Sequence, residues 1–163
     1  MSSITTLIMP AEEVTIREAR EGDFGRIFVI MKSLMSIHLS DDDLTGLEKS
    51  FEMKFLEILQ SDKGCFFVAE SGEEVGGFIS GAPPLALWNI REREMFMIEE
   101  LAVREDLRSN GLGSLLIEFF RDYAKKQGYK RIAASSHVAR ERAHNFYLKN
   151  GFAKEEFVFV KDI

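Results

Sequence analysis

Apolar residues recur along the chain in two distinct periods, and the switches between them mark out the elements. Val14 to Glu18 alternates Val and Ile with Thr and Arg, the period of a half-buried strand. Phe24, Ile27, Phe28, Met31, Leu34 and Met35 then recur at three and four residues, which predicts a helix with Asp23 as its N-cap. The acidic run Asp41 to Asp43 opens a second helix carrying Leu44, Leu47, Phe51, Phe55 and Ile58. Cys65 to Glu70 and Val75 to Gly81 read as strands joined by Ser71-Gly72-Glu73-Glu74, a hairpin turn, and Gly76 and Gly77 predict a bulge or a close backbone approach. Pro83-Pro84 ends that strand, and Leu85 to Glu94 is expected to be a loop carrying Trp88.

Beyond the loop the alternation returns from Met95 to Val103, followed by a helix from about Leu112 to Gln127 with Leu112, Leu115, Leu116, Phe119, Phe120 and Tyr123 on one face and Gly128 as its stop. Lys130 to Ser136 is a further strand, weakly coded because Ala and Ser are poor strand formers. Ala139 to Asn150 is a last helix and Phe152 to Val160 a last strand. The order strand, two helices, three strands, helix, strand, helix, strand gives one parallel pair across the helix at 112–127 and antiparallel pairing elsewhere. The expected architecture is therefore α/β: a mixed, strongly twisted sheet of about six to seven strands flanked by four helices. Nothing divides the chain, so residues 1–163 are expected to form one domain, with 1–12 a poorly defined N-terminal segment.

Composition narrows the function by exclusion. One cysteine, Cys65, rules out an intramolecular disulfide, and three scattered histidines offer no metal-ligand cluster. No apolar run approaches the roughly 20 residues of a membrane span, and the N-terminus lacks the basic flank and apolar core of a signal peptide, so a cytoplasmic location and no membrane partner are expected. A net charge of −6 argues against nucleic acid. Its distribution is uneven: residues 1–80 hold 7 Lys/Arg against 15 Asp/Glu, or −8, and residues 81–163 hold 14 against 12, or +2. An acidic first half suits a cationic ligand and a mildly basic second half an anionic one, although solvated helix faces produce the same asymmetry.

The chemistry concentrates where the strand at 95–103 runs through a charged turn into Arg108-Ser109-Asn110-Gly111-Leu112-Gly113-Ser114 and the helix behind it. Glycines at 111 and 113 allow the backbone to approach a ligand, and the helix start presents N–H groups and the positive end of its dipole. The loop lacks the glycine spacing of a dinucleotide fingerprint and the Lys-Ser/Thr of a P-loop. A pyrophosphate still fits, with Arg108 as counter-charge.

Leu101-Ala102-Val103 at the strand end, Arg108-x-x-Gly111-x-Gly113, and some 30 residues later Ala143-x-x-Phe146-Tyr147-x-x-x-Gly151-Phe152 together resemble motifs A and B of the GNAT N-acetyltransferase superfamily, with the family's element order from Val14 to Val160. The resemblance implies acetyl-CoA as co-substrate, its pantetheine along Leu101, Ala102 and Val103 and its pyrophosphate on Arg108, Ser109, Asn110, Gly111, Leu112, Gly113 and Ser114, with no metal. It implies a thioester placed where the strands at 95–103 and 130–136 splay apart, and an amine acceptor, small molecule or peptide, meeting the first two helices and the loop at 83–94. Tyr147 matches the family's general acid, and Glu99 matches a catalytic Glu of some amine acetyltransferases; Glu100, or a base acting through water, remains an alternative to Glu99. Alternation puts Glu99 beside Met97 and Leu101, and Glu100 beside Phe96 and Ala102, on opposite faces. A salt bridge from either carboxylate to Arg91, Arg93 or Arg131 is the competing reading.

Departures from the family pattern are specific. Arg140 stands where motif B places an Asn on the pantetheine, so Arg140 is expected either to leave that contact unmade or to reach a phosphate, with Asn145 a weaker substitute. Ser135 stands where ribosomal-protein-type members carry a catalytic Glu, which speaks against that subclass. His38, His137 and His144 are expected to be structural. The acid around Asp41, Asp42, Asp43 and Glu48 favours a cationic acceptor such as a polyamine, an aminoglycoside or a protein Lys or N-terminus. A non-catalytic acyl-CoA-binding module and transfer of a different acyl group are the alternatives, and Trp88 and the last strand are the candidate contacts of a homodimer.

Overall fold

The computed structural model describes residues 8–9, 12–35, 41–84 and 94–155. Short strands β1 (Ile8–Met9) and β2 (Glu12–Glu13) pair with each other apart from the main sheet. That sheet contains β3 (Thr15–Glu18), β4 (Cys65–Ser71), β5 (Glu74–Ala82), β6 (Met95–Val103) and β7 (Arg131–Ala134), adjacent in that order. All neighbours are antiparallel except β6 and β7, the one parallel pair the connectivity requires. Among the described residues the sheet has five strands, against the six to seven expected for the whole chain. Most of the strand read at 152–160, and the Trp88 loop, lie outside the described residues.

Helices α1 (Phe24–Met35) and α2 (Asp41–Leu59) cover one face of the sheet. There Ile27, Phe28, Ile30, Met31, Phe51, Phe55 and Ile58 bury against Phe66, Val68 and Phe78. Phe55 meets Phe66 edge-on at 4.9 Å and Phe78 stacks on Phe66 at 5.4 Å, contacts that each add about 0.5–1.5 kcal/mol to plain burial. The other face holds α3 (Leu112–Lys126), whose Leu112, Leu116, Ile117, Phe120 and Ala124 pack on Phe67, Ile79, Phe96 and Ile98. Helix α4 (Glu141–Lys149) follows β7 and contributes Phe146 and Tyr147 to this second core. Among the described residues no helix is long and apolar enough to cross a membrane.

Two irregularities break the sheet's alternation. Ala69 pairs Gly77 and Glu70 pairs Val75, leaving Gly76 without a partner, which is the bulge that Gly76-Gly77 predicts. A Cβ on Gly76 would lie 2.8 Å from Leu107 Cδ1, so the close approach is real as well. The second irregularity was not expected. Ser80 pairs Glu100 and Gly81 pairs Ile98, so Glu99 is the extra residue of β6.

This second bulge corrects the facial assignment of the two glutamates. Phe96 and Ile98 belong to the α3 core, and so do Leu101 and Val103, while Ala102 belongs to the α1/α2 core. Parity therefore slips by one residue between Ile98 and Leu101. Glu100, opposite Ser80 and in phase with Ala102, faces α1 and α2 rather than sharing a face with Phe96. Glu99 faces the same way, because its carboxylate reaches Lys54 of α2. Strict alternation fails here because a bulge spends one residue without advancing the ladder.

Buried charge sits at the entrance to α1. Asp23, 2% exposed, lies in a short 3-10 turn at Glu21–Asp23 just ahead of the helix. It accepts the Arg20 N–H at 2.8 Å, two bonds from the Arg17 guanidinium at 2.7 and 3.0 Å, and one from Arg26 at 2.9 Å. Arg17 also reaches Glu70 at 2.6 Å, tying β3 and β4 to the helix start. The expected cap is thus a charged junction.

Candidate active site

β6 and β7 pair only from Met95↔Arg131 to Ile98↔Ala134, and from Glu99 onward β6 keeps β5 alone. The expected splay is therefore present, and it begins at the bulge. Along Leu101 to Val103 the edge facing away from β5 has no strand partner among the described residues, which is the form of backbone an extended amide-bearing ligand can pair with. The Val103 carbonyl is already used: Arg108 Nε donates to it at 3.1 Å. Arg108 thus closes the turn after β6, and it makes no ion pair among the described residues.

The loop between Arg108 and α3 has an unusual backbone. Ser109 has φ 66° and Gly111 φ 85°, two left-handed residues separated by one. A non-glycine in that region is strained by an amount on the order of 1–3 kcal/mol, and such strain persists where a defined loop shape is needed. Alternating handedness turns successive N–H groups toward one concavity, an anion-binding arrangement. Gly111 is the N-cap of α3 and, having no side chain, leaves the first amides of the helix uncapped. Leu107 and Leu112 are buried and anchor both ends of the loop. Gly113 has a different reason from the one its position suggested: a Cβ there would lie 3.0 Å from Phe146 Cζ, so its missing side chain lets α3 sit against α4.

Helix α4 brings the predicted acid to this place. Tyr147 packs edge-on against Phe146 at 5.6 Å and Phe152 at 5.2 Å. The Asn150 side chain donates to the Phe146 carbonyl at 2.8 Å and the Phe152 N–H to the Tyr147 carbonyl at 3.1 Å, fixing the helix end. Gly151 supplies the left-handed residue there at φ 83°. Burial first, and then the charge on Glu100, push the Tyr147 phenol above its usual range. It is a neutral donor at physiological pH.

Glu100 is the group that answers it. Burial pushes its carboxyl above the ordinary range, Lys54 and Arg140 pull it down, and Glu99 adds to the rise. Glu99 lies closer to solvent, with Oε2 at 3.3 Å from Lys54 Nζ. Of the competing salt bridges, the one to Arg131 is not made, since Arg131 joins Glu155, and Arg91 and Arg93 lie outside the described residues. Beside them Ser80, 0% exposed, has an Oγ with no hydrogen-bond partner among the described residues. A buried hydroxyl left unpaired costs about 1–3 kcal/mol.

The turn before α4 is rigid and basic. Ala139 N–H donates to His137 Nδ1 at 3.1 Å, and the His144 ring meets the His137 carbonyl at 3.0 Å, so both histidines serve structure, as expected. Arg140 is the N-cap residue of α4, exposed, and close enough to act on both Glu100 and Tyr147. Ser135 and Asn145 are exposed. Sequence reasoning did not find Lys54 or Ser80, because each meets the glutamates only through the crossing of α2 over the sheet or through the β5–β6 register.

A parallel pair that parts at Glu99, a strained loop at an uncapped helix start, and a half-buried phenol that feels the charge of Glu100 are the features of this region. The model of the acetyltransferase (GNAT) family matches residues 31–152. The chain belongs to that family of acetyl-CoA-dependent N-acetyltransferases. An uncharacterized N-acetyltransferase of Methanocaldococcus jannaschii is 33% identical over 104 residues, 64% of this chain and 46% of that protein. The uncharacterized N-acetyltransferase YhfO of Bacillus subtilis is 22% identical over 142 residues, 87% and 91% of the two chains. The chain thus spans about half the length of the first relative and nearly all of the second. The aminoglycoside N-acetyltransferase AAC(6')-Iy in complex with CoA shares the fold with a TM-score of 0.74 at 16% identity, over 95% of this chain and 99% of that one.

Proposed function

We propose that this protein transfers the acetyl group of acetyl-CoA to a primary amine of a small molecule or peptide in a ternary complex, with Glu100 as base and Tyr147 as acid. Leu101, Ala102 and Val103 offer the unpaired strand edge to the pantetheine. Arg108, the strained loop Ser109-Asn110-Gly111 and the first amides of α3 at Leu112, Gly113 and Ser114 take the pyrophosphate. Acetyl-CoA supplies the activated thioester carbonyl. The observation that carries this reading is that Glu100 and Tyr147 are both raised by burial, and the phenol by the charge on Glu100 as well, at the point where β6 parts from β7.

An alkylammonium with a pKa near about 10.4 must shed a proton before it can attack. Glu100, raised by burial, is a stronger base than an exposed carboxylate and takes that proton. The new bond joins the amine nitrogen to the acetyl carbon, the carbon–sulfur bond breaks, the Tyr147 hydroxyl delivers its proton to the departing thiolate, and the second proton that the nitrogen loses on becoming an amide restores the phenol. Of the two glutamates Glu100 is the better supported base, since Glu99 is engaged by Lys54. Glu99 remains close enough to steer a cationic acceptor, in keeping with the acidic first half of the chain. Arg140 carries a positive charge to the same place and suits the carrier's phosphates.

The test is thiol release from acetyl-CoA and longer acyl-CoAs against a panel of polyamines, aminoglycosides and lysine peptides. Amine-dependent thiol release is expected with acetyl-CoA. Saturable acetyl-CoA binding with no thiol above background for any amine would replace catalysis with a non-catalytic binding module.

A further inference from the structure

Ser80 is the one buried side-chain polar atom left without a partner among the described residues, and it lies directly across the ladder from Glu100. Its direction follows from its neighbours. Phe78 belongs to the α1/α2 core and Ile79 to the α3 core, and a Cβ on Gly81 would run into Phe120 of α3. Ser80 therefore points toward α1 and α2, the side that Glu100 faces. Directly opposed residues on one face of an antiparallel pair have Cβ atoms about 4.5–5.5 Å apart. A serine hydroxyl at that separation meets a glutamate carboxyl after a single rotamer change of the longer side chain.

We propose that Ser80 is a positioning residue for Glu100, its hydroxyl donating a hydrogen bond to the carboxylate across the β5–β6 register and holding it toward the acceptor amine. The proposal rests on Glu100 being the base. In the structure the hydroxyl has no partner among the described residues. Once Glu100 ionises, its carboxylate becomes the strongest acceptor within reach, and the charge-assisted bond favours the ionised, catalytically competent form. The charged and titratable groups around Glu100 are Lys54 from α2, Glu99 from β6 itself, Arg140 ahead of α4 and Tyr147 on α4. Lys54 and Arg140 act on it through their charge, and neither hydrogen-bonds to it among the described residues, which leaves the donor position to Ser80.

The sign is fixed by the role. A base must be ionised, so the rate rises with pH through the Glu100 pKa, and removing a donor to the carboxylate raises that pKa. Ser80→Ala is expected to move the acid limb of kcat/KM upward by about one pH unit, a tenfold loss below the limb that recovers above it. Acetyl-CoA affinity by calorimetry stays at the wild-type value, and the urea midpoint does not fall, because the substitution removes an unpaired buried hydroxyl. Ser80→Cys, which keeps a weak donor with little added volume, is expected to fall between the two. Added to Glu100→Gln, which removes the limb, Ser80→Ala produces no further change. An unmoved limb in Ser80→Ala, with the limb abolished in Glu100→Gln, overturns the positioning role and leaves Glu100 as base. A limb that survives Glu100→Gln overturns both.

Discussion

Replacing Gly81 by Ala asks whether the β5–β6 bulge is built around a missing side chain. A Cβ at this position would lie 2.3 Å from the Met97 carbonyl oxygen and 2.4 and 2.6 Å from Cζ and Cε2 of Phe120, where ordinary contact begins at 3.4 Å. Neither neighbour has room to yield. Phe120 is fully buried and tilted against Phe96 at 5.2 Å, and the Met97 carbonyl belongs to a backbone paired with Ala82. Overpacking of this kind costs about 1–3 kcal/mol, with the upper end reached where backbone must shift. Ala recovers about 0.5–1 kcal/mol by restricting the unfolded chain. The expected net loss is about 2 kcal/mol, read as a lower urea midpoint at unchanged m. The same substitution at Gly46 carries the opposite sign: that glycine is exposed within α2 and a Cβ there meets nothing within 4 Å, so a gain of about 0.5–1 kcal/mol is expected. A Gly81→Ala protein within 0.5 kcal/mol of wild type, on the order of measurement error, would refute the steric account of the bulge.

Three further outcomes follow from the site and the core. Tyr147→Phe is expected to lower kcat by about 10²–10⁴, the usual share of a general acid, while acetyl-CoA binds as before by calorimetry; unchanged turnover would take Tyr147 out of the role. Arg108→Ala loses the bond to the Val103 carbonyl and a cation beside the anion loop, and CoA affinity is expected to fall about tenfold or more, with urea stability little changed. Asp23 is held below the usual carboxylate range, first by its hydrogen bonds from Arg17. A depressed folded-state pKa gives stability that is present above the unfolded value near about 3.9 and is lost as pH falls through the folded one. Asp23→Asn should therefore cost about 3 kcal/mol at pH 7, and the gap to wild type should close on acidification below about pH 4; a gap that stays constant to pH 2 would sink this account.

The helices were legible because period and caps are local. The stripe Ile27, Phe28, Met31 and the stripe Leu112, Leu116, Phe120 could be read from spacing alone, and Gly76-Gly77 announced a bulge because two glycines in a strand have few other uses. The β6 bulge had no such mark. Met95 to Val103 reads as an unbroken strand, and what displaces Glu99 is Gly81 on the neighbouring strand, together with the Phe120 ring that fills its missing side chain's place. Tyr147 and the anion loop could be placed from motif spacing. Lys54, Ser80 and the Arg17–Asp23–Glu70 junction could not, since each is a contact between segments far apart in the chain, and nothing in the local sequence sets their distance.

The slip of one residue in β6 resembles a dislocation in a crystal. On either side of it the strand obeys the same alternation, but the two halves are out of phase, so Ile98 and Leu101 both reach the α3 core across two residues instead of one. A phase boundary of this kind is where a regular sheet can turn two consecutive acidic side chains toward one side without burying an opposite apolar face in water. Deleting Glu99 would heal the dislocation and leave every other side chain of the strand on the face it already holds. The two consecutive acidic side chains and the phase boundary of β6 therefore occupy the same few residues.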